Sequence, residues 1–117
     1  MNWYLAKIVY EIICGDGDHL SQFDEQLRII AAVDEEAAFC KARVVGEAEE
    51  EQFFDQSKQL VQWKFVNVSE LYPLVELIDG AEVYSRIKEV QDGAAYTTFV
   101  NQRAAFISQK SVKPSLI

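Results

Sequence analysis

Residues 2–36, NWYLAKIVYEIICGDGDHLSQFDEQLRIIAAVDEE, decide the fold. From Trp3 to Ile13 nearly every residue is β-branched, aromatic or aliphatic. Gly15-Asp16-Gly17-Asp18-His19 then interrupts with no apolar side chain. The pattern resumes over Gln22–Val33 and ends at Asp34, where a period of 2 gives way to 3.6. This predicts strand, tight polar loop, strand, helix. The first strand, Asn2–Cys14, is apolar on both faces: Tyr4, Ala6, Ile8, Tyr10 and Ile12 on one, Trp3, Leu5, Val9 and Ile13 on the other. Such a strand belongs inside a sheet. The second, Gln22–Val33, sets Phe23, Leu27, Ile29, Ala31 and Val33 against Asp24, Gln26 and Arg28. That alternation predicts a half-wet strand with its polar side to solvent.

Asp34 is an N-cap, with Glu35 and Glu36 in the first turn where the helix dipole favours acids. Ala38, Ala42, Val45 and Phe53 form a small-residue stripe suited to close packing on a sheet. Gly46 costs about 1 kcal/mol relative to Ala and is a candidate helix end, with Glu47–Gln52 a solvated continuation. A polar break at Asp55–Gln59 leads to a third strand, Leu60–Val68. Ser69–Gly80 is an irregular connection containing Pro73, and Asp79-Gly80 a turn. Ala81–Val90 alternates as a fourth strand. Asp92 caps a second helix, which places Tyr96, Phe99, Val100, Arg103, Ala104 and Ile107 on one stripe.

Assembly of these elements predicts an α+β two-layer sandwich. Its antiparallel four-stranded sheet has the order 2-1-3-4, and both helices cover one face. A ferredoxin-like fold is the alternative, although its usual order begins strand–helix–strand. Residues 1–108 are expected to form one domain and 109–117 a flexible tail. The other sheet face then carries apolar residues with no layer over them, which predicts an interface, with a homodimer as its simplest form.

The net charge is −8. Residues 1–60 hold 13 acids and 5 bases, whereas residues 61–117 hold 6 of each. Asp34–Asp55 alone holds 8 acids against Lys41 and Arg43. Such a surface repels phosphate backbones and anionic lipid, so neither nucleic acid nor membrane is an expected partner. It suits solubility or a basic protein partner. Two cysteines are too few for a disulfide framework. No basic leader precedes the first apolar run, and no stretch approaches the about 20 apolar residues of a membrane span. The expectation is a cytoplasmic protein with Cys14 and Cys40 as reduced, small buried hydrophobes.

The chemistry-bearing patterns fail in turn. An EF-hand beginning at Asp16 would place Leu20 and Leu27 at ligand positions. Gly15-x-Gly17 lacks a third glycine and leads into a strand, so it is no dinucleotide fingerprint. A Cys14–His19 nucleophile pair would need the two to meet across a polar loop, with a third group to orient the imidazole. Asp24 and Glu25 are neighbours on a strand and point to opposite faces. No catalytic residue, metal ligand or cofactor is predicted. One patch is a candidate ligand or interface surface: Trp63 on the third strand with Tyr84 and Arg86 on the fourth. Arg86 there would suit a carboxylate or phosphate.

Three strings resemble a known family: Trp3-Tyr4-Leu5-Ala6-Lys7, Gln22-Phe23-Asp24-Glu25-Gln26 and Trp63-Lys64-Phe65-Val66. They are similar to those of the bacterial domain of unknown function 4288, over about residues 2–90. The resemblance implies a small bacterial cytosolic domain and carries no catalytic residue with it. The expected function is a non-enzymatic protein-interaction module that self-associates, an acidic adaptor or immunity-type protein. The alternative is a small-ligand-binding or enzymatic dimer with a pocket near the sheet face.

Overall fold

The computed structural model describes residues 1–111 of the chain. The fold is α+β, with the order β1 (Asn2–Cys14), β2 (Gln22–Ala32), α1 (Glu35–Ala48), β3 (Glu51–Phe54), β4 (Leu60–Leu74) and α2 (Gly93–Ser111). The chain forms two compact units, Met1–Tyr84 and a second from Ser85 onward. All four strands and α1 belong to the first.

The sheet is antiparallel, in the order β2-β1-β4-β3. The apolar β1 is central, as its composition demands, with β2 on one side and the Leu60 strand on the other. The predicted order 2-1-3-4 is corrected in its last member. The edge strand is Glu51–Phe54, and Ala81–Val90 forms no strand. Alternation in 81–90 is real, but a strand exists only with a ladder partner. Residues 51–54 have one, because Asp55 folds the chain back onto β4. Its carboxylate accepts from the amides of Ser57 (2.8 Å) and Gln59 (2.9 Å), and Lys58 takes the left-handed φ of 65°.

β4 also runs further than predicted, through Pro73 to Leu74. Its register against β1 slips twice: Lys7 faces Glu70 but Ile8 faces Val68, and Val9 faces Asn67 but Tyr10 faces Phe65. Ser69 and Val66 are the extra residues of these bulges, and each reverses the inside–outside alternation. That reversal hides the strand from a period-2 reading. Pro73 is tolerated because β3 pairs only with Leu60–Trp63, which leaves the outer edge of β4 free at its far end.

Asp34 caps α1 as predicted, its carboxylate accepting from the Ala37 amide at 2.8 Å. The helix packs on β1, β2 and β4. Ala38 and Ala42 are fully buried against Tyr4, Ala6, Ile30 and Ala32. Gly46 lies in the last turn of α1, which runs on to Ala48, and is a packing contact. A β-carbon there would run into the Phe65 ring and lie 3.1 Å from Ile8 Cγ2. The missing side chain lets the helix approach the sheet. Cys40, expected inside, is exposed on α1, and Cys14 is half-buried; both are free thiols.

In the second unit, Asp92 caps α2 through the Ala95 amide at 3.0 Å. Every residue of α2 from Gly93 to Lys110 is exposed. The expected tail, 109–117, overlaps the end of this helix through Ser111, and 112–117 lie outside the described residues.

Candidate functional site

The two faces of the sheet differ, and β2 explains why. Its burial alternates residue by residue, but in the opposite sense to the one predicted. Asp24, Gln26 and Arg28 are half-buried and share the α1 face with buried Ile30 and Ala32. Phe23, Leu27 and Ile29 face away and are exposed. The helix covers only the Ile30–Ala32 end of the strand, and the polar side chains beyond it find partners among themselves.

Those partners form one continuous chain across the α1 face. The Arg28 guanidinium donates to both carboxylate oxygens of Glu49, at 2.8 and 2.9 Å. Its Nε and Nη2 also donate to Gln26 Oε1, at 3.1 and 2.7 Å. Gln26 Nε2 donates to Asp24 Oδ2 at 2.7 Å, and Trp63 Nε1 reaches over β1 to the same oxygen at 3.0 Å. The Trp63 ring stacks on Phe53, with centroids 6.1 Å apart. Glu49 follows the last residue of α1, where the helix dipole disfavours an acid. The bidentate bond to Arg28 offsets this and holds the Glu49 carboxyl below its ordinary range.

The opposite face holds a second polar cluster within an apolar surround. Lys7 sits between Glu25 (3.1 Å) and Glu70 (2.9 Å), and the two carboxylates push its ammonium well above the usual lysine range. The Tyr72 hydroxyl donates to Glu70, which raises the phenol's pKa. Tyr84 packs edge-on to Tyr72 at 5.7 Å, and Lys7 Nζ lies 6.0 Å from the Tyr84 ring centroid. Beside this cluster run the apolar residues of the face. Trp3 is 44% exposed, Phe23 53%, Leu27 48% and Ile29 55%.

The predicted patch is therefore divided. Trp63 lies on the α1 face, tied to Asp24 and Phe53. Tyr84 lies against Tyr72 on the other face, and Tyr72 is nine residues along β4 from Trp63, about 30 Å of strand. The two do not line one pocket. Arg86 is exposed and belongs to the second unit. The residues that organise the faces are Asp24, Gln26, Arg28, Glu49, Lys7, Glu25 and Glu70. The adjacent pair Asp24-Glu25 was the available signal, since neighbours on a strand must serve opposite faces.

His19 is structural. Its Nε2 accepts from the Cys14 amide at 3.0 Å and its Nδ1 lies 2.7 Å from the Leu20 carbonyl. The imidazole thus closes the β1–β2 loop. Gly15 (φ 60°) and Gly17 (φ 83°) supply the left-handed turns there, and Asp16 accepts from the Asp18 amide at 2.9 Å. Among the described residues, no three His, Cys, Asp or Glu side chains converge as a metal would require.

These residues fall within the span of a family-model match. Residues 3–85 match the domain of unknown function DUF4288. The chain belongs to the DUF4288 family. The match spans more than half the chain and ends one residue past the first compact unit, so both polar clusters lie inside the DUF4288 domain and α2 lies outside it. No curated protein and no solved structure shows significant similarity to the chain. No helix among the described residues is long and apolar enough to cross a membrane.

Proposed function

We propose that this protein is a non-enzymatic interaction module that engages protein surfaces through the sheet face remote from α1. The carrying observation is the orientation of β2. Phe23, Leu27 and Ile29 face away from the chain's own helix layer while Asp24, Gln26 and Arg28 face towards it. An alternating strand normally buries its apolar side. A row of large apolar side chains on a regular sheet face is the composition of an interface.

Two further features support the reading. The polar side chains on both faces are bonded to one another, which suits a scaffold better than a site that must bind and turn over a substrate. The first unit holds 17 acids against 6 bases, a net −11. A domain of this net charge would steer basic partners, and their binding would weaken in salt. A cytoplasmic, acidic adaptor or immunity-type role fits these properties.

The test compares wild type with Leu27→Glu as bait in lysate of the source organism. Leu27 is half-exposed, so the variant should keep its melting temperature. Wild type should retain a stoichiometric protein, another copy of itself included, that Leu27→Glu does not. Identical retention by the two baits would remove the sheet face from consideration.

A further inference from the structure

The two compact units carry opposite charge. Against the −11 of Met1–Tyr84, residues 85–117 hold Arg86, Lys88, Arg103, Lys110 and Lys113 against Glu89 and Asp92, a net +3. Within α2 there is no acid at all. Tyr96, Phe99, Val100, Arg103, Phe106 and Lys110 follow 3- and 4-residue spacings and so fall on one stripe, which is apolar with Arg103 in its midst and Lys110 at its end. Arg103 lies over the Phe106 ring at 5.9 Å, an arrangement that keeps its stem on the apolar surface.

The exposed row on β2 is the counterpart of that stripe. Phe23, Leu27 and Ile29 are interrupted by Glu25, so the row is apolar with a carboxylate in its midst. The lengths agree as well. Phe23 to Ile29 spans about 20 Å of strand, and Tyr96 to Lys110 spans about 21 Å of helix. Both surfaces are exposed in the single chain.

We infer that α2 of one copy docks on the β2 side of a second copy's sheet, where Phe23, Leu27 and Ile29 stand exposed beside the buried Leu5, and the second copy's α2 on the first. The partner of this chain is thus a second copy of itself, joined by reciprocal exchange of the helix. Each copy offers both halves of the contact, so two copies close with twofold symmetry and leave neither surface over. Arg103 meets the Glu25 carboxylate, which Lys7 also contacts at 3.1 Å, and Phe99 and Phe106 cover the Leu27–Ile29 row. This rests on the sheet-face reading above and adds the occupant, its orientation to charge and its symmetry.

The experiment is sedimentation equilibrium of the full chain and three variants: Leu27→Glu on the sheet, and Phe99→Glu and Arg103→Glu on the helix. All four carry a circular-dichroism melt as a folding check. Wild type should be a dimer whose affinity falls as salt is raised. Leu27→Glu and Phe99→Glu should each weaken it about 30-fold, the effect of a central interface side chain. Arg103→Glu should weaken it while leaving an intact helix. A mixture of Leu27→Glu with Phe99→Glu should dimerise better than either alone, because one helix and one sheet remain intact.

A monomeric wild type overturns the inference. A dimer lost in Leu27→Glu but kept in Phe99→Glu is a sheet-to-sheet dimer; it overturns the helix exchange and leaves the sheet-face function standing. A dimer lost in Phe99→Glu but kept in Leu27→Glu is a helix-to-helix dimer and overturns the exchange as well. In the monomeric and helix-to-helix cases the lysate comparison alone decides the sheet-face function.

Discussion

The Tyr10 hydroxyl donates to the main-chain carbonyl of Gly46 at 2.8 Å, joining the central strand to the last turn of α1 in the buried interior. Tyr10 is 1% exposed, and its ring also meets Phe65 edge-on at 6.0 Å. The bond forms because Gly46 has no side chain to hold the helix off. Gly46→Ala therefore sets two effects against each other. Helix propensity favours Ala by about 1 kcal/mol. The new methyl overlaps the Phe65 ring, and overpacking of this kind costs about 1–3 kcal/mol. Phe65 cannot swing freely because Tyr10 packs against it. The expected outcome is a net loss, read as a lower melting temperature. A rise would show that the helix does not approach the sheet this closely.

Tyr10→Phe tests the bond itself. Removing the hydroxyl leaves the Gly46 carbonyl without its side-chain donor and should cost about 1 kcal/mol. The effect also has a pH signature. Burial raises the Tyr10 phenol above its ordinary value of 10.0, so the folded state holds the proton more tightly than the unfolded state. The stabilisation is present below pH 10 and is lost as pH rises through the folded value. Urea melts from pH 8 to 11 should show wild type losing stability more steeply than Tyr10→Phe. Parallel curves would mean that the phenol is not buried.

Glu49 carries the opposite sign. Arg28 lowers its carboxyl below the ordinary 4.5, so the folded state binds that proton less tightly. The ion pair contributes above pH 4.5 and is lost as pH falls through the depressed value. Glu49→Gln should flatten the acid limb of the melting-temperature profile between pH 5 and 3. Arg28→Lys should flatten it in part, since an ammonium cannot make the two parallel bonds. An unchanged acid limb in Glu49→Gln would show that the pair is solvated and contributes nothing.

How much of this was legible follows from which residues speak locally. Asp34 and Asp92 named both helix starts, because a cap is a contact between residues three apart. The polar loop at Gly15–His19 and the density of β1 placed β1 beside β2 and inside the sheet. The Glu51–Phe54 strand was hidden because its four residues are all exposed and begin with an acid. Its existence depends on the Asp55 turn and on a partner further along the chain. The face assignment of β2 failed for a different reason. Asp24, Gln26 and Arg28 look wet only until Trp63 and Glu49 arrive from 39 and 21 residues away. Pattern reports which residues share a face, and tertiary partners decide which way the face points. Trp63 reads as a candidate ligand or interface residue in the sequence, and in the structure its indole nitrogen is bonded to Asp24.

His19 offers a test that separates a structural imidazole from a reactive one. The Cys14 amide is a donor and cannot reverse its role, so His19 Nε2 must be the acceptor and bare of hydrogen. Nδ1 then carries the proton and donates to the Leu20 carbonyl. The neutral ring should be held as the Nδ1–H tautomer, the minor form of free histidine, and nitrogen chemical shifts of labelled protein at pH 8 would show it directly. His19→Ala should loosen the loop and cost at most about 1 kcal/mol, since water can replace either bond at this exposed site. Hydrogen exchange at the Cys14 amide should then accelerate, with the β1 amides under α1 unchanged. An Nε2–H tautomer in wild type would break the proposed bond and return His19 to the list of free side chains.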